Sequence, residues 1–350
     1  MKICLLGDTH FGVRNDSKTF HKYYEKFYEM FFEYIKNNKI EYIIQLGDLF
    51  DRRKYINFLT LSESKKYFFD RIEKNGIKLV TLLGNHDIFW KESLSVNSPE
   101  LLLESYNYID IIHNPTKIIC GGVSIDIIPW ICKENEQDVF EFVKNSKSKI
   151  CMGHFELSGY EMMRGVTSHD GLDDKFLSKY DKVYSGHFHT ASTKGNITYL
   201  GTPYELMWSD HGDTKGFYIL DLETTNLDFV KNPYSIFEKY YYNEVKEDPA
   251  SIDTSLFEDK YVKLIVVDKK DYKVFDDFID RIYKSNPAEL KIIEDLSDFE
   301  STDTSENLNL EDTMTLLSEY VDGLDTDADK SRIKNLLREL YVEAHDYEET

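Results

Sequence analysis

Three short apolar runs near the start of the chain constrain its fold more than any other feature. Lys2–Leu6, residues 42–46 and residues 78–83 each end at once in a glycine followed by polar residues. The segments that follow are Gly7-Asp8-Thr9-His10, Gly47-Asp48-Leu49-Phe50-Asp51 and Gly84-Asn85-His86-Asp87. Between the runs, Lys18–Asn37 and residues 58–75 carry apolar side chains three and four apart, the period of an amphipathic helix. Strand–helix–strand–helix–strand order requires parallel pairing with right-handed crossovers, hence an α/β fold. In such sheets ligands collect at the carboxyl ends of the strands, where each glycine segment falls.

Beyond residue 117 the texture changes to shorter β runs at 117–120, 123–129, 149–152, 182–185, 196–200, 216–222 and 227–230. A second sheet stacked on the first would account for all of them. Two of these runs end in Gly153-His154 and Gly186-His187-Phe188-His189, which repeat the earlier pattern. The helix Lys18–Asn37 is rich in aromatics (Phe20, Tyr23, Tyr24, Phe27, Tyr28, Phe31, Tyr34), and its stripe fits packing on the sheet. Met30 and Phe32 widen that stripe enough for a second buried face against another subunit.

After about Tyr234 the pattern gives way to a small strand–helix–strand module at 261–267, Tyr272–Lys284 and 290–293. Residues 297–311, dominated by Ser, Thr, Asn, Asp and Glu, have the composition of a flexible linker. Two amphipathic helical patterns close the chain, one through Met314, Leu317 and Val321, the other through Ile333, Leu336 and Leu340. So short a helical pair buries little apolar surface alone, which suits a partner's groove as well as docking on its own protein. The organisation expected is therefore a first domain at 1–233, a small domain at 234–296, a linker at 297–311 and a helical tail at 312–350.

Net charge is −22, and residues 295–350 hold 17 acidic and 4 basic residues, or −13 of that total. This disfavours a nonspecific nucleic-acid coat. It leaves room for an enzyme that grips a polyanion at a metal centre, with Arg14, Arg52, Arg53 and Lys91 flanking the motifs as contacts or as solvated loop residues. Cys4, Cys120, Cys132 and Cys151 are scattered without metal-binding spacing and read as buried thiols. No stretch approaches the roughly 18 apolar residues of a membrane span, and the N-terminus lacks a signal-peptide pattern, so a cytoplasmic location is expected.

The recurring Asp, Asn and His are the donors that hold two divalent metals side by side, the usual apparatus for breaking a phosphate ester. Two ions about 4 Å apart need an anionic bridge, a role that Asp48 fits with one carboxylate oxygen for each. Asp8 and His10 stand two residues apart past a strand end and can face one metal, as can His187 and His189. Asn85 adds a neutral amide oxygen. A nitrogen and oxygen set without thiolate suits manganese, iron or zinc. Asp51, Asp87 and Glu156 are candidates to orient ligands or cap turns; His21, His113, His169, His211 and His345 lie outside the motifs.

The five segments in this order resemble the calcineurin-like metallophosphoesterase superfamily, most closely its SbcD-type nuclease branch. Tyr199-Leu200-Gly201-Thr202-Pro203-Tyr204 is similar to that branch's glycine–Ser/Thr–proline signature, and Ile127-Ile128-Pro129-Trp130 resembles its strand before the fourth motif. The Gly153-His154-Phe155-Glu156 form and the compact tail are most similar to versions in large tailed phages, where the location would be host cytoplasm.

The resemblance implies a four-layer α-β-β-α sandwich with a small α+β capping domain and a C-terminal helical tail. It places Asp8, His10, Asp48 and His189 on one metal and Asp48, Asn85, His154 and His187 on the other, with His86 catalytic at the leaving oxygen. It implies two manganese ions, 3′-to-5′ exonuclease action on duplex ends, and endonuclease action on single strands and hairpins. DNA would be the substrate, in recombination, repair and replication. An SbcC-type coiled-coil ATPase would bind residues 312–345, since this chain has no phosphate-binding loop of its own. Homodimer contacts would fall on helices 18–37 and 58–75. A phosphomonoesterase or phosphoprotein phosphatase would share the metal site. Against the phosphatase, the third motif ends in Asp87 where that branch has Glu, and Arg53 stands where it has Gly. A non-catalytic scaffold would leave the ligands and His86 without purpose.

Overall fold

Strand Lys2–Leu6 shows how the core is organised. Ile3 and Leu5 enter one apolar cluster while Cys4 and Leu6 enter another, so both faces of the strand are buried. A strand covered on both sides reads as an unbroken apolar run, as this one does. Strands Tyr42–Gln45 and Lys78–Leu82 divide the same way, with Ile44, Val80 and Leu82 on one face and Ile43 and Leu79 on the other.

The computed structural model describes residues 1–294 apart from Arg164, and five single positions beyond them. The linker at 297–311 and most of the tail at 312–350 lie outside the described residues. Met1–Ile293 form one compact unit. Its first six-stranded sheet runs in the order Leu227–Lys231, Gly216–Asp221, Lys2–Leu6, Tyr42–Gln45, Lys78–Leu82, Ile109–Ile112. The last four are mutually parallel. The second six-stranded sheet runs Ser192–Lys194, Ile197–Tyr199, Lys182–Gly186, Ile150–His154, Val123–Ile128, Thr116–Cys120, parallel through its four central strands. Ile125, Ile127, Ile150, Met152 and Tyr184 of the second sheet share one cluster with Ile3, Leu5, Ile44 and Val80 of the first, so the sheets pack face to face.

Helix Lys18–Asn37 covers the outer face of the first sheet, burying Phe20, Tyr24, Phe27, Tyr28, Phe31 and Phe32 in its own core. Residues 58–75 are helical throughout but not uniformly α. Lys65–Phe69 is a π-helical turn between Phe58–Ser64 and Asp70–Asn75. The wider turn lets the consecutive Tyr67, Phe68 and Phe69 all enter the core. Phe58, at the start of this run, remains 87% exposed.

Two strands depart from the sequence pattern. Gly216–Asp221 and Leu227–Lys231 join the first sheet rather than the second: Gly216–Asp221 pairs antiparallel with Lys2–Leu6, and Leu227–Lys231 pairs antiparallel with Gly216–Asp221. The chain returns to cover an edge of the first sheet that would otherwise expose unpaired backbone. The small module also has one strand more than expected. Phe237–Asn243 pairs parallel with Tyr261–Asp268, next to Glu289–Glu294, and helix Tyr272–Lys284 buries Phe275, Phe278 and Ile282 against them. Glu205 fastens the module's entry, accepting from Ile236 N at 2.8 Å and Phe237 N at 3.1 Å.

Candidate metal centre

All five glycine segments meet at the carboxyl ends of parallel strands from the two packed sheets. Asp8, Asp48 and Asn85 follow three strands of the first sheet. His154 ends a strand of the second, and His187 and His189 follow its neighbour. Three groupings bring ligand atoms within 4.8 Å of one another: Asp8, His10 and His189; Asp48, His154 and His187; His10, Asp51 and His86. Asn85 Oδ1 lies 2.9 Å from His154 Nε2 and 3.0 Å from His187 Nδ1. His154 Nε2 lies 3.3 Å from Asp48 Oδ2, and His10 Nε2 lies 3.2 Å from His189 Nε2 and 3.7 Å from Asp48 Oδ2. Every sequence-expected ligand is thus in the cluster.

Such closeness requires unusual backbone. Gly84 packs so closely on the Asp48 carboxylate that a Cβ there would overlap it. Gly47, at φ 92°, lets the second segment turn beside His154. Three candidate ligands are themselves left-handed, His10 at φ 41°, Asp48 at 51° and His187 at 87°. Each costs on the order of 1–3 kcal/mol for a non-glycine residue, strain that persists where the surroundings fix the geometry.

The surroundings do fix it. Asp48 O accepts from Thr9 N at 3.1 Å and His10 N at 3.0 Å, joining the first two segments. Asp87 accepts from Leu49 N, Phe50 N and Gly84 N, joining the second to the third. Asp51 Oδ1 lies 3.2 Å from His10 Nδ1, the arrangement by which a carboxylate orients a metal-binding imidazole. Asp51 and Asp87 therefore act on the ligands' positions. Glu156 is half-buried beside Asp170, which with burial pushes its carboxyl up.

One residue gave no signal in the sequence. Lys215 is buried, donates to His189 O at 2.8 Å, and pairs with Asp210 at 2.7 Å. A lone lysine before a strand carries no motif.

The donors fit a metal pair on electrostatic grounds as well as by position. Asp8 Oδ1 is buried without a hydrogen-bond partner, a cost offset by a cation. Burial, joined by the charge of His154, lowers His187 to about 3 and holds it neutral, the form that ligates. Burial alone would lower His10 and His154 as well. Asp51, Asp48 and Asp8 outweigh it at His10, which rises to about 10; Asp48 and Asp8 do so at His154, which rises to about 9. Burial raises Asp8 to about 7 against the pull of His154.

Metal loading must therefore displace protons from His10 and His154. Because both groups shed protons as pH rises, apparent manganese affinity is expected to increase between about pH 6 and pH 9. Calorimetric titration in buffers of different ionisation heat checks this; a flat affinity and buffer-independent heat would contradict it. Asp51→Ala is expected to weaken manganese binding by about 10–100-fold with the fold retained. The same titration, with a thermal melt alongside, reads that loss; unchanged affinity would remove Asp51 from the site.

The basic residues flanking the motifs divide. Arg52 pairs with Asp16 at 2.8 Å and lies over Tyr55. Arg14 sits over the rings of Phe237 and Tyr261 in the small module. Arg53 Nη2 lies 3.2 Å from the Asn85 amide, and Lys91 is exposed. His21 is buried against Thr60, and His169 is exposed.

A profile described as calcineurin-like phosphoesterase matches residues 1–191. Exonuclease subunit 1 of Enterobacteria phage T4 is 33% identical over 347 residues, 98% of this chain and 99% of that protein. The D component of nuclease SbcCD from Staphylococcus epidermidis is 22% identical over 263 residues, 65% of this chain and 67% of that protein.

Proposed function

Because the chain belongs to the calcineurin-like phosphoesterase family, we propose that it is a two-metal DNA nuclease, the hydrolytic subunit of an ATPase–nuclease complex. The observation that carries this reading is the convergence of seven candidate ligands with His86, in a chain 33% identical over nearly its whole length to a protein named as an exonuclease subunit.

Asp8, His10, Asp48 and His189 would hold one ion and Asp48, Asn85, His154 and His187 the other. Two divalent ions, manganese in this proposal, supply charge neutralisation at the phosphoryl oxygens and an acidified water. The protein's part is positioning. His86 Nδ1 lies 2.5 Å from Asp51 O, and a carbonyl only accepts, so Nδ1 carries a proton. Nε2 is then the atom left to meet the leaving oxygen, to which it would donate from the doubly protonated ring. Arg53 would hold a non-bridging phosphate oxygen, and Lys91 would meet a neighbouring phosphate.

The actions proposed are 3′-to-5′ removal of nucleotides from duplex ends and cleavage of single strands and hairpins. Helix Lys18–Asn37 on the outer face of the first sheet, and helix Glu136–Asn145, whose Val139 and Val143 pack with Ile128, Cys151 and Val183 of the second, support the four-layer sandwich, with 234–296 as a capping domain. The partner ATPase would bind at 312–345, outside the described residues. The expected dimer would rest on 58–75 rather than 18–37, since Phe58 is exposed while the aromatic stripe of 18–37 is buried in its own core. No helix among the described residues is long and apolar enough to cross a membrane; action on host or cellular DNA would put the protein in the cytoplasm.

Substrate comparison tests the proposal. With manganese, the chain is expected to degrade linear DNA and hydrolyse bis(p-nitrophenyl) phosphate, while leaving p-nitrophenyl phosphate and phosphopeptides largely intact. Hydrolysis of the monoester or phosphopeptide with DNA untouched would assign it instead to the phosphatases.

A further inference from the structure

The hairpin formed by Ile88–Trp90 and Ser93–Asn97 starts two residues after His86. Its inward side chains, Ile88 and Leu94, are buried with Leu83 and Cys132, and Trp130 packs on that cluster. Trp130 in turn lies with its ring 5.3 Å from His187 and 5.9 Å from His154. The outward pair is different. Phe89 is 38% exposed and Trp90 53%, with their rings 4.9 Å apart, edge to face. Hydrogen bonds pin the hairpin. Ser98 N donates to Asp87 O at 2.8 Å, Leu94 N to Glu134 at 2.7 Å, and Lys133 N to Glu92 at 3.1 Å.

Two adjacent large aromatics held in water on a rigid support mark a contact surface. The site beside them identifies the contact. Phe89 follows His86 by three residues, so their Cα atoms are at most about 11 Å apart, within a few nucleotides of the phosphate being cleaved. Aromatic rings beside a backbone-gripping centre are how proteins hold unpaired bases regardless of sequence. The exposed Lys91, first residue of the hairpin turn, adds a cation for the strand's phosphates.

We propose that Phe89 and Trp90 form a stacking platform for the unpaired bases flanking the scissile phosphate, so that the substrate arm next to the metals is single-stranded. This rests on the nuclease reading above. It adds the state of the substrate that the site takes.

The test compares a manganese-loaded Phe89→Ala/Trp90→Ala variant with the native chain. Substrates are a single-stranded thymidine oligomer, the same oligomer with abasic positions, and bis(p-nitrophenyl) phosphate. The variant is expected to show a KM for the intact oligomer raised on the order of tenfold, with manganese content and diester turnover unchanged. On the abasic oligomer the native chain is expected to lose its advantage, and Trp90→Phe is expected to keep most of it on intact DNA. Equal KM values for native and variant would overturn the platform. So would a parallel loss on both ester classes, which would make the pair structural. A fall in sedimenting mass with KM unchanged would assign the surface to a second copy of the chain. A native chain that cleaves the diester but no DNA refutes the nuclease reading itself, a different outcome from any of these.

Discussion

Asp48→Ala is expected to lose both metal ions together and to reduce phosphodiester turnover by more than about 1,000-fold, several kcal/mol of transition-state stabilisation. Asp48 Oδ2 faces His154 Nε2 at 3.3 Å and His10 Nε2 at 3.7 Å, and these two histidines belong to opposite halves of the cluster. On the proposed ligand assignment, removing the carboxylate takes the shared anion from both. The fold need not fail, because the Asp48 carbonyl that receives Thr9 N and His10 N remains. Alanine is strained at φ 51°, so Asp48→Asn is the companion variant, since Asn tolerates this backbone and keeps the shape. Elemental analysis of the dialysed proteins gives the answer, and retention of one full ion by Asp48→Ala would refute the bridge.

His86→Ala is expected to keep its manganese and lose about 10²–10⁴-fold in turnover on DNA. The backbone N–H of residue 86, which donates to Asp48 Oδ1 at 2.8 Å, survives the substitution, so the ligand geometry does too. On the proposed role, what is lost is the doubly protonated ring that would donate from Nε2 to the leaving oxygen. The defect should therefore shrink on bis(p-nitrophenyl) phosphate, whose leaving group departs without a proton. Metal content that fell as far as activity would make His86 a ligand, which its grouping with His10 and Asp51 makes a real alternative.

The site was legible in the sequence because its chemistry is concentrated at strand ends. A buried parallel strand must be an apolar run, and the polar residue after its terminal glycine must face the ligand edge. That logic reached Asp8, Asp48, Asn85 and His187 without any knowledge of distances. It also found helices Lys18–Asn37 and Tyr272–Lys284, whose 3.6-residue pattern is strong.

Other features depend on contacts distant in the chain, which a linear pattern does not record. Gly216–Asp221 reads as a strand that either sheet could take, and only the open edge of Lys2–Leu6 decides its place. The π turn at Lys65–Phe69 arises because three consecutive aromatics fill one core. Asp51 and Asp87 could orient ligands or cap turns on sequence grounds, until His10 Nδ1 appears opposite one and three backbone amides opposite the other. Arg14 and Arg53 looked alike beside their motifs. One lies over aromatic rings of the small module and the other beside Asn85.

The central claim is that strand ends of two packed sheets build a single two-metal centre. Anomalous scattering at the manganese edge, from crystals grown with manganese, tests it most directly. The expected result is two peaks about 4 Å apart. One should be held by Asp8, His10 and His189, the other by Asn85, His154 and His187, and Asp48 should touch both. A single peak, or a pair held by His86 and Asp51 in place of the His154 and His187 set, would contradict the account.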